Sequence, residues 1–222
     1  PIKISLDQKK LDQQSQHWEK NFSNKPEMFG LEPSIAAKKA LKIFKIEKIN
    51  RVVELGAGLG RDTIYFAKNS IHVEALDYSP SGIKIINQKI NQNNFSNLIN
   101  TKILDVRKTL PFEDNSIDGF YSHMLYCMAL TTSDLENLNK EIHRVLKPGG
   151  INIYTVRHTN DGDFKKGVQI VEDMYENDGF IVHFFSKNKI NNLMNGFVNL
   201  ETTNFEEGNF PRKLFFVCNK KK

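Results

Sequence analysis

A glycine-rich turn after an apolar segment is the first place where residue types and spacing in this sequence suggest ligand chemistry. The segment RVVELGAGLGRDT has Glu54 two residues before Gly56, and Gly58 and Gly60 follow. Gly56 and Gly58 allow a tight reversal of the chain and let a ligand approach bare backbone N–H groups. A zwitterionic amino acid suits both features, with its carboxylate at the start of the next helix and its ammonium near Glu54. An ordinary tight turn is the alternative, because short glycine motifs also occur without a ligand.

The spacing of the glycines disfavours a dinucleotide. The pyrophosphate-binding fingerprint is G-x-G-x-x-G, and Arg61 stands where its last small residue belongs, while Gly60 comes one position early. A pyrophosphate would also be repelled by Glu54. We therefore expect the turn to bind an amino-acid-like group.

Two acids follow at the ends of later predicted strands. Asp77 stands about twenty residues after the glycines, where an acid accepts hydrogen bonds from both ribose hydroxyls. Tyr78 can cover one face of an adenine. Asp105 can accept from the adenine amino group, while the backbone N–H of Val106 reaches a ring nitrogen. Each acid alone could be a helix cap or a solvated turn residue. Their order at successive strand ends favours methionine linked to adenosine as the ligand.

The elements around these residues alternate between strand and helix patterns. Apolar residues at helical spacing after a proline or a capping residue predict helices, and short apolar runs between turn residues predict strands. The alternation indicates a mostly parallel sheet, covered on both faces, that binds ligands at the carboxyl ends of its strands. The predicted helices are Pro33–Ile46, Arg61–Asn69, Ser79–Asn93, Thr132–Leu146 and Lys187–Met194, and the predicted strands are Arg51–Leu55, Ile71–Leu76, Leu98–Leu104, Ser116–Ser122 and Ile151–Arg157.

The two ends of the chain and one long segment complete the predicted architecture. Residues 1–32 are polar with isolated aromatics, which indicates an N-terminal helical arm lying over the body formed by residues 33–222. Residues 158–185 are glycine-punctuated and long, as expected of a lid. Val198–Phe205 and Leu214–Cys218 could form a hairpin at the sheet edge.

Five motifs together resemble the class I S-adenosylmethionine-dependent methyltransferases: VELGAGLG, VEALDYSPSGI, LDV, LPFEDNSIDGFYS and RVLKPGGINIYTV. The resemblance covers about Val52–Val156. It implies an α/β, Rossmann-like, doubly wound sheet of seven mostly parallel strands with the last strand antiparallel. It also implies S-adenosylmethionine as cofactor and S-adenosylhomocysteine as product. The implied cofactor-site residues are Glu54, Gly56, Gly58, Asp77, Tyr78, Asp105, Val106 and Ser122.

A closer resemblance is to the thiopurine and tellurite-resistance branch of small-molecule methyltransferases. It rests on Trp18, Phe22 and Phe29 and on the segments FGLEPS and GFIVHFFS. In that branch an N-terminal aromatic arm closes over the cofactor, which implies that Trp18 contacts the cofactor. The alternative is that these rings simply pack on the core as large apolar surfaces.

Methyl transfer from a sulfonium requires mainly that the acceptor is held in line, because the methyl carbon is electrophilic and the leaving thioether is neutral. No metal is expected. A base is needed only for an acceptor that arrives protonated, and the candidates are Tyr121, His123 and His158, each of which could instead be structural. Arg157 could orient an anion. The acids of the predicted lid could attract a cationic acceptor or only face solvent; they are Asp161, Asp163, Glu172, Asp173 and Glu176.

The sequence therefore predicts an enzyme of the EC 2.1.1 class that methylates a small molecule by in-line displacement. An RNA or protein methyltransferase is the alternative among enzymes. It lacks support from a basic aromatic stretch or an Asn/Asp-Pro-Pro-aromatic signature, since YSHM stands at the fourth predicted strand. A non-catalytic S-adenosylmethionine-binding protein is the third reading. The acceptor and its reacting atom stay open.

Composition sets the remaining expectations. The 222 residues are 39% hydrophobic, enough for one core, and the net charge of +5 is modest. Cys127 and Cys218 lack the spacing of metal ligands, which favours a reducing, cytoplasmic setting. No apolar run approaches the ~18 residues of a membrane span, and the start does not resemble a signal peptide. We expect a monomer or homodimer without nucleic-acid or membrane partners.

Overall fold

The computed structural model describes residues 6–222, so the first five residues of the predicted arm lie outside the described part. The bounds of most elements agree closely with the sequence patterns. The described helices are α1 Leu6–Asn24, α2 Ile35–Ile46, α3 Arg61–Lys68, α4 Pro80–Asn93, α5 Thr132–Val145 and α6 Lys187–Asn192. The described strands are β1 Arg51–Leu55, β2 His72–Asp77, β3 Ile99–Ile103, β4 Ile117–His123, β5 Leu146–Arg157, β6 Val168–Gln169, β7 Met174–Asn177, β8 Phe180–His183, β9 Phe197–Glu207 and β10 Arg212–Lys221.

Helix starts are set by side chains that accept from the first free backbone N–H groups. Ser34 accepts from the N–H of Ala37 at 3.0 Å, so α2 begins after this residue rather than at Pro33. Ser79 caps α4 in the same way. Thr131 and Asp134 form a reciprocal capping box at α5. Such caps satisfy N–H groups that have no partner inside the helix, which is why short polar residues mark these boundaries in the sequence.

Seven strands form one sheet in the order β3-β2-β1-β4-β5-β10-β9. The strands from β3 to β5 pair in parallel, and β10 runs antiparallel to both β5 and β9. The predicted doubly wound sheet and its terminal hairpin are thereby confirmed. Apolar residues of α2, α3 and α4 pack on one face, and those of α5 and α6 pack on the other.

The predicted lid contains structure that the sequence patterns did not reveal. Strands β6, β7 and β8 form a small antiparallel sheet within residues 158–185. Helix α1 packs against this small sheet, with the ring centroids of His17 and Trp18 at 4.4 and 4.9 Å from that of Phe180. Among residues 6–222, no helix combines the length and apolar character that a bilayer crossing requires.

Candidate functional site

A cavity of about 480 Å³ lies at the carboxyl ends of β1, β2, β4 and β5. The strand order reverses between β1 and β4, and open α/β sheets bind ligands at such a switch point. The volume lies in the range of small-molecule sites. Residues of α1 and of the small sheet form its outer wall. The residues singled out in the sequence that line it are Trp18, Phe22, Phe29, Glu54, Gly56, Gly58, Asp77, Tyr78, Asp105, Val106, His123, Arg157 and Asp163.

The glycine turn uses backbone angles that glycine adopts readily and other residues do not. Gly56 and Gly58 have φ of +68° and +58°, which L side chains rarely adopt. A Cβ on Gly56 would lie 2.9 Å from Cδ1 of Leu125. The N–H of Gly58 donates to Oδ2 of Asp77 at 2.9 Å, so the turn is fastened to the end of β2. This arrangement brings the bare backbone of the turn to the cavity wall.

Glu54 places a buried carboxylate beside this turn. The residue is 4% exposed, and its Oε2 accepts from Oγ1 of Thr63 at 2.6 Å. Within residues 6–222, no donor reaches its Oε1, although Glu54 lines the cavity. Burial, together with the nearby carboxylates of Asp62 and Asp77, raises the pKa of Glu54 well above its usual value. An ammonium group in the cavity would favour the charged carboxylate again, so the free oxygen suits such a ligand.

Asp77 has a second role that the sequence did not indicate. It is 6% exposed, and its Oδ1 accepts from the N–H of Ser79 at 2.9 Å while Oδ2 holds Gly58. Burial raises the pKa of Asp77 to about 6, although both backbone bonds favour the charged form. An ionised carboxylate offers about four acceptor sites, so two remain for ligand hydroxyls. Asp77 therefore orders the glycine turn and is also placed to accept from a ribose.

Asp105 is bound by an arginine that sequence reasoning missed. Nε of Arg107 donates to both carboxylate oxygens at 3.2 and 3.1 Å, and Nη2 donates to Oδ2 at 2.8 Å. Nη1 of Arg107 also reaches Oδ1 of Asp12 on α1 at 2.6 Å. Burial alone would raise the pKa of Asp105, but the bonds from Arg107 outweigh it and the pKa is lowered. An adenine amino group would share this carboxylate with Arg107.

Helix α1 is attached to the body beside Asp77. The carboxylate of Glu19 accepts from the hydroxyls of Ser79 and Ser81, and from the N–H of Ser81 at 3.1 Å. These donors belong to the first turn of α4, where a negative charge is favourable. Trp18 lies on the cavity side with its ring centroid 5.3 Å from that of Phe22. The sequence of α1 did not predict this role of Glu19, because all the acidic residues of the helix fit the pattern of a solvent-exposed face.

His123 is the candidate base that reaches the cavity. Its Nδ1 lies 2.7 Å from Oγ1 of Thr155, and its Nε2 lies 3.0 Å from Oε2 of Glu207. The hydroxyl of Thr155 also accepts from the N–H of Met124 at 2.9 Å, so it can donate to Nδ1. The neutral ring would then donate from Nε2 to Glu207. Both ring nitrogens are therefore engaged, and proton transfer would require one of these bonds to open.

The other candidate bases and Ser122 do not line the cavity. Tyr121 is fully buried, and its hydroxyl donates to Oδ2 of Asp62 at 2.7 Å. The ring of His158 stacks on Phe215 with centroids 4.0 Å apart. Ser122 is 1% exposed and lies outside the cavity lining. These three side chains therefore have no direct access to a ligand in the cavity, although Tyr121 is the register partner of Glu54.

The acids of the predicted lid are engaged in structural bonds. Arg157 is nearly buried, and its guanidinium pairs with Asp161 at 2.6 Å and with Asp163 at 2.9 Å. The remaining bonds join Glu172 to the N–H of Thr132 at 3.1 Å, Asp173 to Lys189 at 3.8 Å, and Glu176 to Lys10 at 3.8 Å. The structure therefore favours a structural role for these acids over recognition of a cationic acceptor.

Residues 53–154 match the family model of the methyltransferase domain. Among curated proteins, phosphoethanolamine N-methyltransferase 1 of Triticum aestivum is 36% identical over 148 residues, which are 66% of this chain and 26% of that protein. The chain thus spans about a quarter of the length of this relative.

Solved structures of low sequence identity share the fold. The 1,6-didemethyltoxoflavin-N1-methyltransferase of Burkholderia thailandensis, solved with bound 1,6-didemethyltoxoflavin and S-adenosylhomocysteine, superposes with a TM-score of 0.72 at 15% identity. That comparison covers 100% of this chain and 93% of the other. TehB of Haemophilus influenzae has a TM-score of 0.67 at 19% identity, covering 92% of this chain and 67% of the other. Residues 53–154 thus resemble a methyltransferase domain, within a chain that shares the fold of these solved structures.

Proposed function

We propose that this chain is an S-adenosylmethionine-dependent methyltransferase that acts on a small molecule. The observation that carries the proposal is the free Oε1 of buried Glu54 beside the glycine turn, with Asp77 at the next strand end. A buried carboxylate with an unused acceptor suits an ammonium, and the neighbouring acid suits a ribose. Together they select a ligand that has both groups.

The residues that would hold the cofactor follow from this geometry. Glu54 would accept from the ammonium, and the N–H groups at the start of α3 would bind the carboxylate, because Gly60 provides no side-chain cap there. Asp77 would accept from the ribose hydroxyls. Tyr78, Val106 and Asp105 with Arg107 would surround the adenine, and Trp18 would cover the site from α1. Ser122 would act only indirectly, through the position of β4. When bound, the cofactor supplies an electrophilic methyl carbon with a neutral leaving group.

On the acceptor side, the chain's own residues exclude water and position the reacting atom. Trp18 and Phe180 close the cavity where α1 meets the small sheet, so residues 6–32 serve as a cover and residues 158–185 as a lid. We keep His123 as the candidate base because it lines the cavity and Glu207 could stabilise its protonated ring. Tyr121 and His158 are less suitable because both lie outside the cavity lining.

A small molecule fits this cavity better than RNA or a protein does, because α1 and the small sheet enclose it. The names of the wheat relative and of the Burkholderia enzyme also specify small acceptors. Cys127 and Cys218 are both free and buried, which is consistent with the proposed cytoplasmic location.

Calorimetric titration with S-adenosylhomocysteine tests the proposal, with NAD as the control ligand. We expect micromolar binding of S-adenosylhomocysteine and none of NAD. Incubation with S-adenosylmethionine and a panel of small acceptors, followed by detection of S-adenosylhomocysteine, then tests turnover. A folded chain that does not bind S-adenosylhomocysteine would contradict the proposed function. Binding without turnover on any acceptor would favour the non-catalytic alternative.

A further inference from the structure

We propose that the methyl acceptor carries a carboxylate or a phosphate, which binds at Arg212 on the β10 side of the cavity. This inference rests on the proposed function and names the class of acceptor that the site would take.

Charges of opposite sign lie at opposite ends of the cavity. Glu54 stands on β1, and Asp77 and Asp105 stand at the ends of β2 and β3. Arg212 begins β10, which runs antiparallel to β5, so the start of β10 lies at the same edge as the end of β5. Adjacent strands are about 4.8 Å apart, which separates β10 from β1 by about 14 Å over three steps. The charged groups of the cofactor would therefore bind at the β1 end of the cavity, and a charged group of the acceptor would bind at the β10 end.

Arg212 offers a guanidinium without a partner. It lines the cavity, and among residues 6–222 no acceptor binds its side chain. Arg157, by contrast, is neutralised by Asp161 and Asp163. An exposed arginine at a cavity wall presents a planar set of donors that matches carboxylates and phosphates.

Arg61 adds a second cation without a carboxylate partner. Its Nη1 donates to the carbonyl oxygen of Phe29 at 3.4 Å, and its guanidinium lies 5.7 Å from the centroid of that ring. Arg61 and Arg212 both lie close enough to Glu207 to lower the pKa of its carboxyl, with His123 making the larger contribution. Because Arg61 begins α3 beside the glycine turn and is also close enough to Glu54 to favour its charged form, it lies between the two ends of the cavity.

Glu207, the register partner of Arg212 on β9, brings one negative charge to the β10 end, but it is hydrogen-bonded to His123 and lies outside the cavity lining. Lys166 also lines the cavity, with Asp163 only at 3.9 Å. Asp178 has a carboxylate that lines the cavity and forms no ion pair within the described residues. It lies in the turn between β7 and β8. Gln14 of α1 holds that turn through a bond to the carbonyl oxygen of Gly179 at 2.9 Å. An anion thus has free cationic partners at the β10 end.

The walls between the two ends are apolar. Phe180 and Val182 of the small sheet line the cavity, together with Phe184 and Met128. Strand β10 lies two steps from β4, the strand of His123, which is about 10 Å at the usual strand spacing. We therefore expect an acceptor with an apolar or aromatic body and an anionic group within about 10 Å of the reacting atom.

The test uses the full chain saturated with S-adenosylhomocysteine and calorimetric titration with three probes. 4-Hydroxybenzoate and phenyl phosphate carry the two anionic groups, and phenol is their neutral analogue. We expect one or both anions to bind about tenfold or more tightly than phenol, and the stronger of them identifies the anionic group.

Variants then assign the binding to the arginine. Arg212→Gln should weaken anion binding about tenfold and leave the affinity for S-adenosylhomocysteine unchanged, while Arg212→Lys should recover part of the loss. Lys213→Gln is the matched control, because it removes the same charge from the same hairpin but does not line the cavity.

Three results would overturn the inference: anions that bind no better than phenol, an equal loss in Lys213→Gln, or an unaffected Arg212→Gln. A failure of the proposed function can be distinguished from a failure of this inference. A chain that does not bind S-adenosylhomocysteine contradicts the proposed function. Anion binding that depends on Arg212 would support the anion site even in that case.

Discussion

Replacing Asp77 with asparagine should weaken the binding of S-adenosylhomocysteine without weakening the fold. Asp77 is nearly buried and accepts from the N–H groups of Gly58 and Ser79, both at 2.9 Å. Asparagine has the same shape but only one acceptor oxygen, so one of these N–H groups would face an amide NH₂ instead. The ribose hydroxyls would also lose a charged acceptor. Both changes disturb the proposed cofactor site directly.

The structure sets the size of each effect. Losing hydrogen bonds to a charged group costs about 1.5–3 kcal/mol, which weakens binding by about 10- to 150-fold. The pKa of Asp77 rises from 3.8 to about 6 in the folded chain. At about 1.4 kcal/mol per unit, the buried charge costs the fold about 3 kcal/mol above pH 6. Asparagine removes this cost, which is already net of the backbone hydrogen bonds to Gly58 and Ser79, so the free energy of unfolding should not fall at neutral pH.

The pH dependence has a definite sign. Because the folded pKa is the higher one, the folded state holds an extra proton between about pH 4 and 6. The contribution of Asp77 to stability is therefore largest below pH 4 and declines as the pH rises through 6. Affinity for S-adenosylhomocysteine should change in the opposite direction and fall as the pH drops below about 6. Both dependences should be weaker in Asp77→Asn, and the part that remains should come from Glu54.

Calorimetry with S-adenosylhomocysteine and urea denaturation measure the two quantities. Asp118→Asn is the control, because Asp118 pairs with Lys147 at 2.9 Å, near the amino end of β4 and away from the cavity. Equal affinities in Asp77→Asn and Asp118→Asn would refute the assignment. A loss of more than about 3 kcal/mol in the unfolding free energy would refute the view that the buried charge opposes folding.

Three further predictions concern the arm, the lid and the core. Trp18 is the only tryptophan and lines the cavity, so S-adenosylhomocysteine should change its fluorescence; an unchanged spectrum at saturation would exclude Trp18 from the site. Arg157→Gln leaves the buried carboxylate of Asp161 without its cation and should lower the urea-unfolding free energy by about 3 kcal/mol. A loss under about 1 kcal/mol would contradict this prediction. Burial and nearby Lys189 lower the pKa of His183, so the unfolded chain binds more protons below its pKa of about 6.5 and stability should fall as the pH drops. His183→Gln should show a smaller fall, and equal slopes would be evidence against His183 as the source.

The doubly wound sheet and the grouping of Glu54, Asp77 and Asp105 at one end of the cavity were predictable because both depend on local patterns. Strand and helix periods, with capping residues such as Ser79, indicated the order of elements. Parallel strands end at one edge, so Glu54, Asp77 and Asp105 had to meet around the glycine turn. The positive φ of Gly56 and Gly58 follows from the same local requirement.

Side-chain partnerships between distant residues were not predictable in this way. The bonds of Arg107 to Asp12 and of Glu19 to Ser79 each join residues at least 60 positions apart. A charged residue in a polar segment looks the same in the sequence whether it faces solvent or a partner. Only the packing of α1 on the body decides between the two.

The candidate bases and the acceptor end show the same limit. Tyr121 and His123 lie two positions apart on β4. The hydroxyl of Tyr121 is buried and hydrogen-bonded to Asp62, whereas His123 lines the cavity. Arg157 and Arg212 likewise differ only in whether nearby carboxylates reach them. The sequence by itself determined the elements of the main sheet and the strand ends at which Glu54, Asp77 and Asp105 stand, because these depend on periodicity and backbone geometry. The tertiary structure decided which charges remain free, because that depends on contacts between segments far apart in the chain.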